Sequence, residues 1–157
     1  MRYDTRSTHK ARWTPRGIRP ECRVKLGYEW GYLYLAIQPS RGYWYGWLMA
    51  DMSQASLSLF LDHFSKQLTE PTKLILDGAA SHGSKLSLGS HLSLLSLPRY
   101  SPELNPVEGC FGELRKSISN QVLESLSEVE EVLRAKLLNY KKAPSSLVRL
   151  TNYSWLV

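Results

Sequence analysis

Apolar and polar positions change their period several times along this chain of 157 residues. From Met1 to Pro20 there is no helical or strand period, and Pro15-Arg16-Gly17 and Arg19-Pro20 mark turns. Between Cys22 and Ile37 the composition becomes aromatic and β-branched, with Val24, Leu26 and Tyr28, then Trp30, Tyr32, Tyr34 and Ala36, on alternate positions. That period of two is a strand signal. Gln38 to Gly42 reads as a turn and Tyr43 to Ala50 as a second strand, so the pattern predicts a long hairpin over 22–50. Its aromatic side chains are more simply the faces of a twisted sheet than platforms for bases. A helix follows, capped by Asp51 or Ser53, with Leu57, Phe60, Leu61, Phe64 and Leu68 on one face and Pro71 as its stop. The apolar run Lys73–Leu76 predicts a buried strand that ends on Asp77-Gly78. Residues 78–90 are rich in Gly and Ser and hold His82, and His91–Leu97 predicts another strand. A helix from Asn105 buries Val107, Phe111, Leu114 and Ile118. A last helix starts at Ser125 or Ser127 with Glu128 or Glu130 completing a capping box. It buries Val129, Leu133, Leu137 and Tyr140 and ends at Pro144.

One connection stands out chemically. Leu97-Pro98-Arg99-Tyr100-Ser101-Pro102-Glu103-Leu104-Asn105-Pro106-Val107-Glu108 takes a strand into a stiff turn and then launches a helix. The prolines hold φ near one value, Asn105 suits the N-cap, Pro106 the first helical position and Glu108 the third. A carboxylate at the end of such a turn can be aimed. On this window alone, however, a capping-box glutamate satisfying the Asn105 amide is the favoured reading of Glu108. Asp77 changes the weighing. A buried strand that ends in an acid delivers it to the C-terminal edge of a sheet, where α/β folds place their sites. Its plainer reading is a simple Asp-Gly turn. Neighbouring parallel strands would bring Asp77 and Glu108 to one edge.

The residues Leu76-Asp77-Gly78-Ala79…His82 and the run Tyr100-Ser101-Pro102-Glu103-Leu104-Asn105-Pro106-Val107-Glu108 resemble the catalytic domain of insertion-sequence transposases. The branch is the bacterial one of the mariner-type DDE superfamily. The likeness extends to Trp13-Thr14-Pro15-Arg16-Gly17-Ile18-Arg19-Pro20 and to the ending Arg149–Trp155. It implies an RNase H-like α/β fold, a mixed sheet flanked by helices, and metal-dependent DNA strand cleavage and transfer. It also implies catalytic roles for Asp77, Glu108 and His82, with Asp77 and Glu108 as metal ligands. Phosphodiester chemistry of this kind uses two Mg²⁺ (or Mn²⁺) ions, roughly 3.5–4 Å apart, clamped by carboxylates. Oxygen ligands suit that hard cation, whereas a His/Cys cluster would suggest zinc. The family uses three acids. The first, on the central strand, is expected just before Met1, so the chain reads as a catalytic domain incomplete at its N-terminus. The first central strand and the usual N-terminal DNA-binding region are expected to be missing. Asp4 lies close by, but no pattern puts it on a strand. Partners implied are transposon-end and target DNA, an upstream-encoded fragment of the same transposase, and a second copy when complete.

Composition narrows the alternatives. An apolar fraction of 43% and a charged fraction of 22% are ordinary for one globular domain of this length. No run is long enough for a membrane helix, and the Arg-rich start lacks the core of a signal peptide. Cys22 and Cys110 have neither metal nor disulfide spacing, so a reducing bacterial cytoplasm, near the nucleoid, is the expected location. The net charge of +6 lies entirely in residues 1–26, where eight Lys/Arg face Asp4 and Glu21. A basic segment with Tyr3, His9 and Trp13 reads as a phosphate-tracking arm as readily as a solvated terminus. Lys10, Arg12, Arg16 and Arg19, with Arg99 in the turn, are the DNA-binding candidates. A non-catalytic DNA-binding remnant is the rival reading. A small-molecule metal phosphohydrolase fits less well, because no Gly-rich phosphate cradle is present.

Overall fold

The computed structural model describes residues 1–21, 23–77, 89–98 and 100–156; His82 and Arg99 lie outside the described residues. Strands β1 (Arg2–Asp4), β2 (Trp30–Gln38) and β3 (Tyr43–Met49) form an antiparallel meander in that order. Tyr32 faces Met49 and Gln38 faces Tyr43 across β2 and β3. The period of two sorts their side chains onto two faces. Leu33, Leu35, Ile37, Trp44 and Leu48 go to one core, while Tyr34, Ala36, Tyr45 and Trp47 go to the other.

The first core is closed by α2 (Val107–Ile118), α3 (Leu126–Lys142) and α4 (Pro144–Thr151), through Phe111, Leu114, Val129, Leu133, Leu137 and Leu147. The second is closed by α1 (Gln54–Ser65), whose Leu57, Phe60 and Leu61 are buried as its spacing predicts. Phe60 sits in a cluster of rings, with Tyr34 at 5.5 Å and Tyr45 at 5.6 Å between centroids. Ser53 is the cap of α1, its hydroxyl accepting from the Ser56 amide at 3.2 Å. Asp51 supports it from outside by accepting from the Ser53 amide and the Ser56 hydroxyl. Those hydrogen bonds lower the Asp51 carboxyl to about 2. Strands β4 (Thr72–Leu76) and β5 (Leu92–Ser96) pair in parallel, from Thr72 opposite Leu92 to Leu76 opposite Ser96. Leu74, Leu92 and Leu94 join the α1 side. The result is a helix–sheet–helix layering. Among the described residues no helix is long and apolar enough to cross a membrane.

Three sequence expectations need correction. Arg2–Asp4 forms a strand although no period announces one, so Asp4 does lie on a strand. It forms because Tyr3 is only 2% exposed, and because the Tyr3 hydroxyl donates to Glu130 Oε1 on α3 at 2.8 Å. The hairpin is shorter than expected at its start: β2 begins at Trp30, and residues 23–29 run instead alongside 5–7. Thr5 N–H donates to Glu29 O at 3.0 Å and Ser7 N–H to Lys25 O at 3.1 Å. Pro144 does end α3, but it also begins α4, where its missing N–H costs nothing.

Gly42 ties two of these parts together. It closes the β2–β3 turn at φ +69°, and a Cβ there would lie 2.3 Å from the Pro144 carbonyl oxygen. Gly42→Ala is therefore expected to lower stability by about 1–3 kcal/mol. A lower urea midpoint at unchanged m would register it.

Candidate active site

The turn after β5 is built by local hydrogen bonds. Leu104 N–H donates to Ser101 O at 3.1 Å and Asn105 N–H to Pro102 O at 2.9 Å, making a single 3₁₀ turn over Pro102–Leu104. Asn105 starts α2 twice over. Its Oδ1 accepts from the Val107 amide at 3.3 Å and its carbonyl from the Glu108 amide at 3.0 Å. This decides the reading of Glu108. The Asn105 amide that a capping-box glutamate would satisfy is already bonded to Pro102. The Glu108 carboxylate faces Arg115 instead, with Oε2 3.5 Å from Nη1. Arg115 is seven residues on, two turns along the same helix face, and that spacing is the signal by which the sequence could have revealed it.

Asp77 follows directly on β4, and its neighbour across the ladder is the start of the turn, since Leu97 N–H donates to Leu76 O at 2.7 Å. Asp77 is exposed at this edge. Residue 1 lies within electrostatic range of it. Met1 pairs with Leu33 in both directions, amine to carbonyl and amide to carbonyl, each at 2.7 Å. Burial pushes the Met1 amine down to about 6, and Arg115 pushes the same way, while Glu108 and Asp77 push it back up. Asp77 thus sits where β4 ends and Glu108 where the turn after β5 ends, with Arg115 as the cation beside Glu108.

Two carboxylates form an oxygen-only donor set, which fits a hard divalent cation. Among the described residues no group of three or more His, Cys, Asp or Glu is placed to hold a metal ion. Asp4 does not complete the set. It lies at the far end of β1 from Met1, roughly 10 Å along an extended chain, and its Oδ1 accepts from the Arg6 amide at 3.1 Å. The candidate DNA-binding cations lie elsewhere. Arg12, Arg16 and Arg19 are exposed on an arm whose tip turns at Gly17 (φ +88°) and is held by Ile18 N–H to Pro15 O at 3.1 Å. The base of the arm is docked: Lys10 N–H donates to Asn120 Oδ1 and the Asn120 amide to Thr8 O.

A family model described as DDE superfamily endonuclease matches residues 1–130. An uncharacterized protein, y4pE/y4sA of Sinorhizobium fredii (strain NBRC 101917 / NGR234), is 28% identical over 104 residues, covering 64% of this chain and 77% of that protein. Among solved structures, the Mos1 strand transfer complex superposes with a TM-score of 0.61 at 15% identity over 98% of this chain and 53% of that one. The Mos1 transposase paired-end complex with left transposon end does so with 0.56 at 14%, over 98% and 54%. The chain thus spans about half the length of the solved chains it matches, and what it shares with them at such identity is the RNase H-like fold. With most of its length matched by that one model, the chain belongs to the DDE superfamily endonucleases.

Proposed function

We propose that this chain is the catalytic part of a mariner-type insertion-sequence transposase, which cuts and joins DNA at transposon ends. The observation that carries the reading is the local geometry: Asp77 directly follows β4, and the turn that leaves its paired strand β5 delivers Glu108 in the first turn of α2, which supports a common acidic rim. Asp77 and Glu108 would hold Mg²⁺ or Mn²⁺ there. Bound divalent cations would supply charge neutralisation at the attacking and leaving oxygens of a phosphodiester. The chain's own part is positional. The β4–β5 ladder fixes Asp77, the proline-rich turn fixes Glu108, and Arg115 offers a guanidinium beside the acids for a phosphate oxygen. His82, within the same Asp77-to-Glu108 span of sequence, would contact the phosphate or orient a water. A third acid would come from an upstream-encoded fragment of the same transposase, and a second copy would complete the assembly on paired ends. Divalent-dependent nicking of DNA carrying terminal inverted repeats tests the reading. Nicking that both Asp77→Asn and Glu108→Gln remove is expected; nicking indifferent to both substitutions, or to chelation, would refute it.

The exposed arm supports a second reading, a DNA-binding remnant without catalysis. Salt-sensitive binding with no cleavage under Mg²⁺ or Mn²⁺ would favour it. Either way, the arm is proposed to track phosphates. Replacing Arg12, Arg16 and Arg19 by alanine is expected to weaken duplex binding and to flatten the plot of log K against log salt by about 0.9 per lost phosphate contact. A titration across salt concentrations measures that slope.

A further inference from the structure

Residues 23–30 and 2–7 make a two-stranded ribbon with one uncovered face. The alternate positions of its second strand are Lys25, whose ammonium pairs with Glu124 at 3.2 Å, Gly27, where a Cβ would strike Thr5, and the exposed Glu29 at the end next to β2. The outward positions are all apolar and all open: Val24 is 63%, Leu26 67%, Tyr28 80% and Trp30 50% exposed. On the first strand, Tyr3 and Thr5 are buried while Arg2 and Arg6 are exposed. Arg2, Asp4, Arg6, Leu26, Tyr28 and Trp30 line a groove of about 320 Å³ between the two rows. Arg2 already stacks its guanidinium over the Trp30 ring, 5.1 Å from the centroid. The Asp4 carboxylate is engaged by the Arg6 amide. Two arginines with Asp4 between them thus face a row of aromatic and apolar side chains.

We propose that this face binds an unpaired DNA strand, with bases stacked on Tyr28 and Trp30 and phosphates paired with Arg2 and Arg6. The proposal rests on the nucleic-acid reading above and extends it from duplex tracking to strand capture. An aromatic face left open to solvent can stack only on a base that has left its own stack, which selects single strands over duplex. Charge selects nucleic acid over a second copy. A self-complementary contact would set the positive excess of the ribbon, Arg2, Arg6, Arg23 and Lys25 against Asp4 and Glu29, against its own image. A polyanion meets no such repulsion.

Fluorescence anisotropy of the full chain, with a labelled oligothymidylate and with a duplex of the same length, tests this. Tyr28→Ala is expected to weaken oligothymidylate binding between about fivefold and a hundredfold, the range for one stacked base, while Tyr28→Phe retains it. Duplex affinity should change less than about twofold. Tyr28 is largely exposed, so the variant keeps its fold, and quenching of tryptophan fluorescence by the oligonucleotide gives a second readout. Equal loss on both probes, or no loss, would overturn the proposal. So would a dimer in sedimentation that Tyr28→Ala dissolves, since the face would then belong to a second copy. Failure of the nuclease reading shows separately, as absence of divalent-dependent nicking by the unsubstituted chain while strand binding persists.

Discussion

Glu108→Gln is expected to reduce divalent-dependent nicking by about a hundredfold or more while moving stability by no more than about 0.5 kcal/mol. The two effects separate because of where the side chain sits. Its carboxylate is 41% exposed and its ion pair with Arg115 is 3.5 Å long between two solvent-facing groups. Such a pair contributes little to folding. Glutamine keeps the size and the helix propensity and loses only the charge, so the helix still packs through Val107, Phe111 and Leu114. A divalent cation held by two carboxylates would lose one of them, and with it several kcal/mol of charge stabilisation where the phosphodiester breaks. Plasmid or terminal-repeat nicking measures the loss, and a urea midpoint within error of the parent measures the retained fold. Asp77→Asn should behave alike, since Asp77 lies past the last ladder residue of β4 and holds no strand register. A midpoint that falls as far as the activity would mean Glu108 is a structural residue.

Why the turn from Leu97 to Glu108 was visible in the sequence, and other parts were not, is a matter of range. The turn from Leu97 to Glu108 is specified by residues in contact with their own neighbours: proline φ values, the Asn105 side chain, and successive short-range hydrogen bonds. Local chemistry of that kind is legible without a fold. The stripes of α2 and α3 were legible for the same reason, because Phe111, Leu114, Val129, Leu133, Leu137 and Tyr140 recur at helical spacing. The role of Glu108 was ambiguous until the partner of the Asn105 amide was known. β1 was illegible because three residues carry no period. It exists through long-range partners, β2 on its edge and Glu130 on α3. Residues 23–29 have a strand's alternation, but their partner is the segment after β1, so they left the hairpin they were expected to extend. α4 was hidden by Pro144, a residue that stops one helix and starts the next equally well. Its spacing did hold a clue, Leu147 and Thr151 four apart, both fully buried.

Leu114→Ala carries the largest expected effect on stability and tests the layer beneath the acids. Leu114 is fully buried on α2, between the meander and α3, in the cluster with Leu33, Phe111, Leu133 and Leu147. Removing its three outer carbons forfeits transfer free energy and leaves a void that rigid neighbours fill only in part, at a cost of about 2–5 kcal/mol. For a chain of this size that corresponds to a fall in Tm of roughly 4–20 °C. Leu138→Ala is the control, since Leu138 on α3 is 45% exposed and its loss should stay within about 0.5 kcal/mol. The helix that Leu114 anchors is also the one that aims Glu108 and Arg115. If α2 is held in place mainly by this core, the variant should lose nicking on warming in step with its loss of structure, and at temperatures well below its own midpoint it should still cut. A variant that is fully folded yet inactive at low temperature would show that the rim depends on side-chain packing finer than the helix axis, and that the turn from Leu97 to Glu108 does not by itself aim the carboxylate.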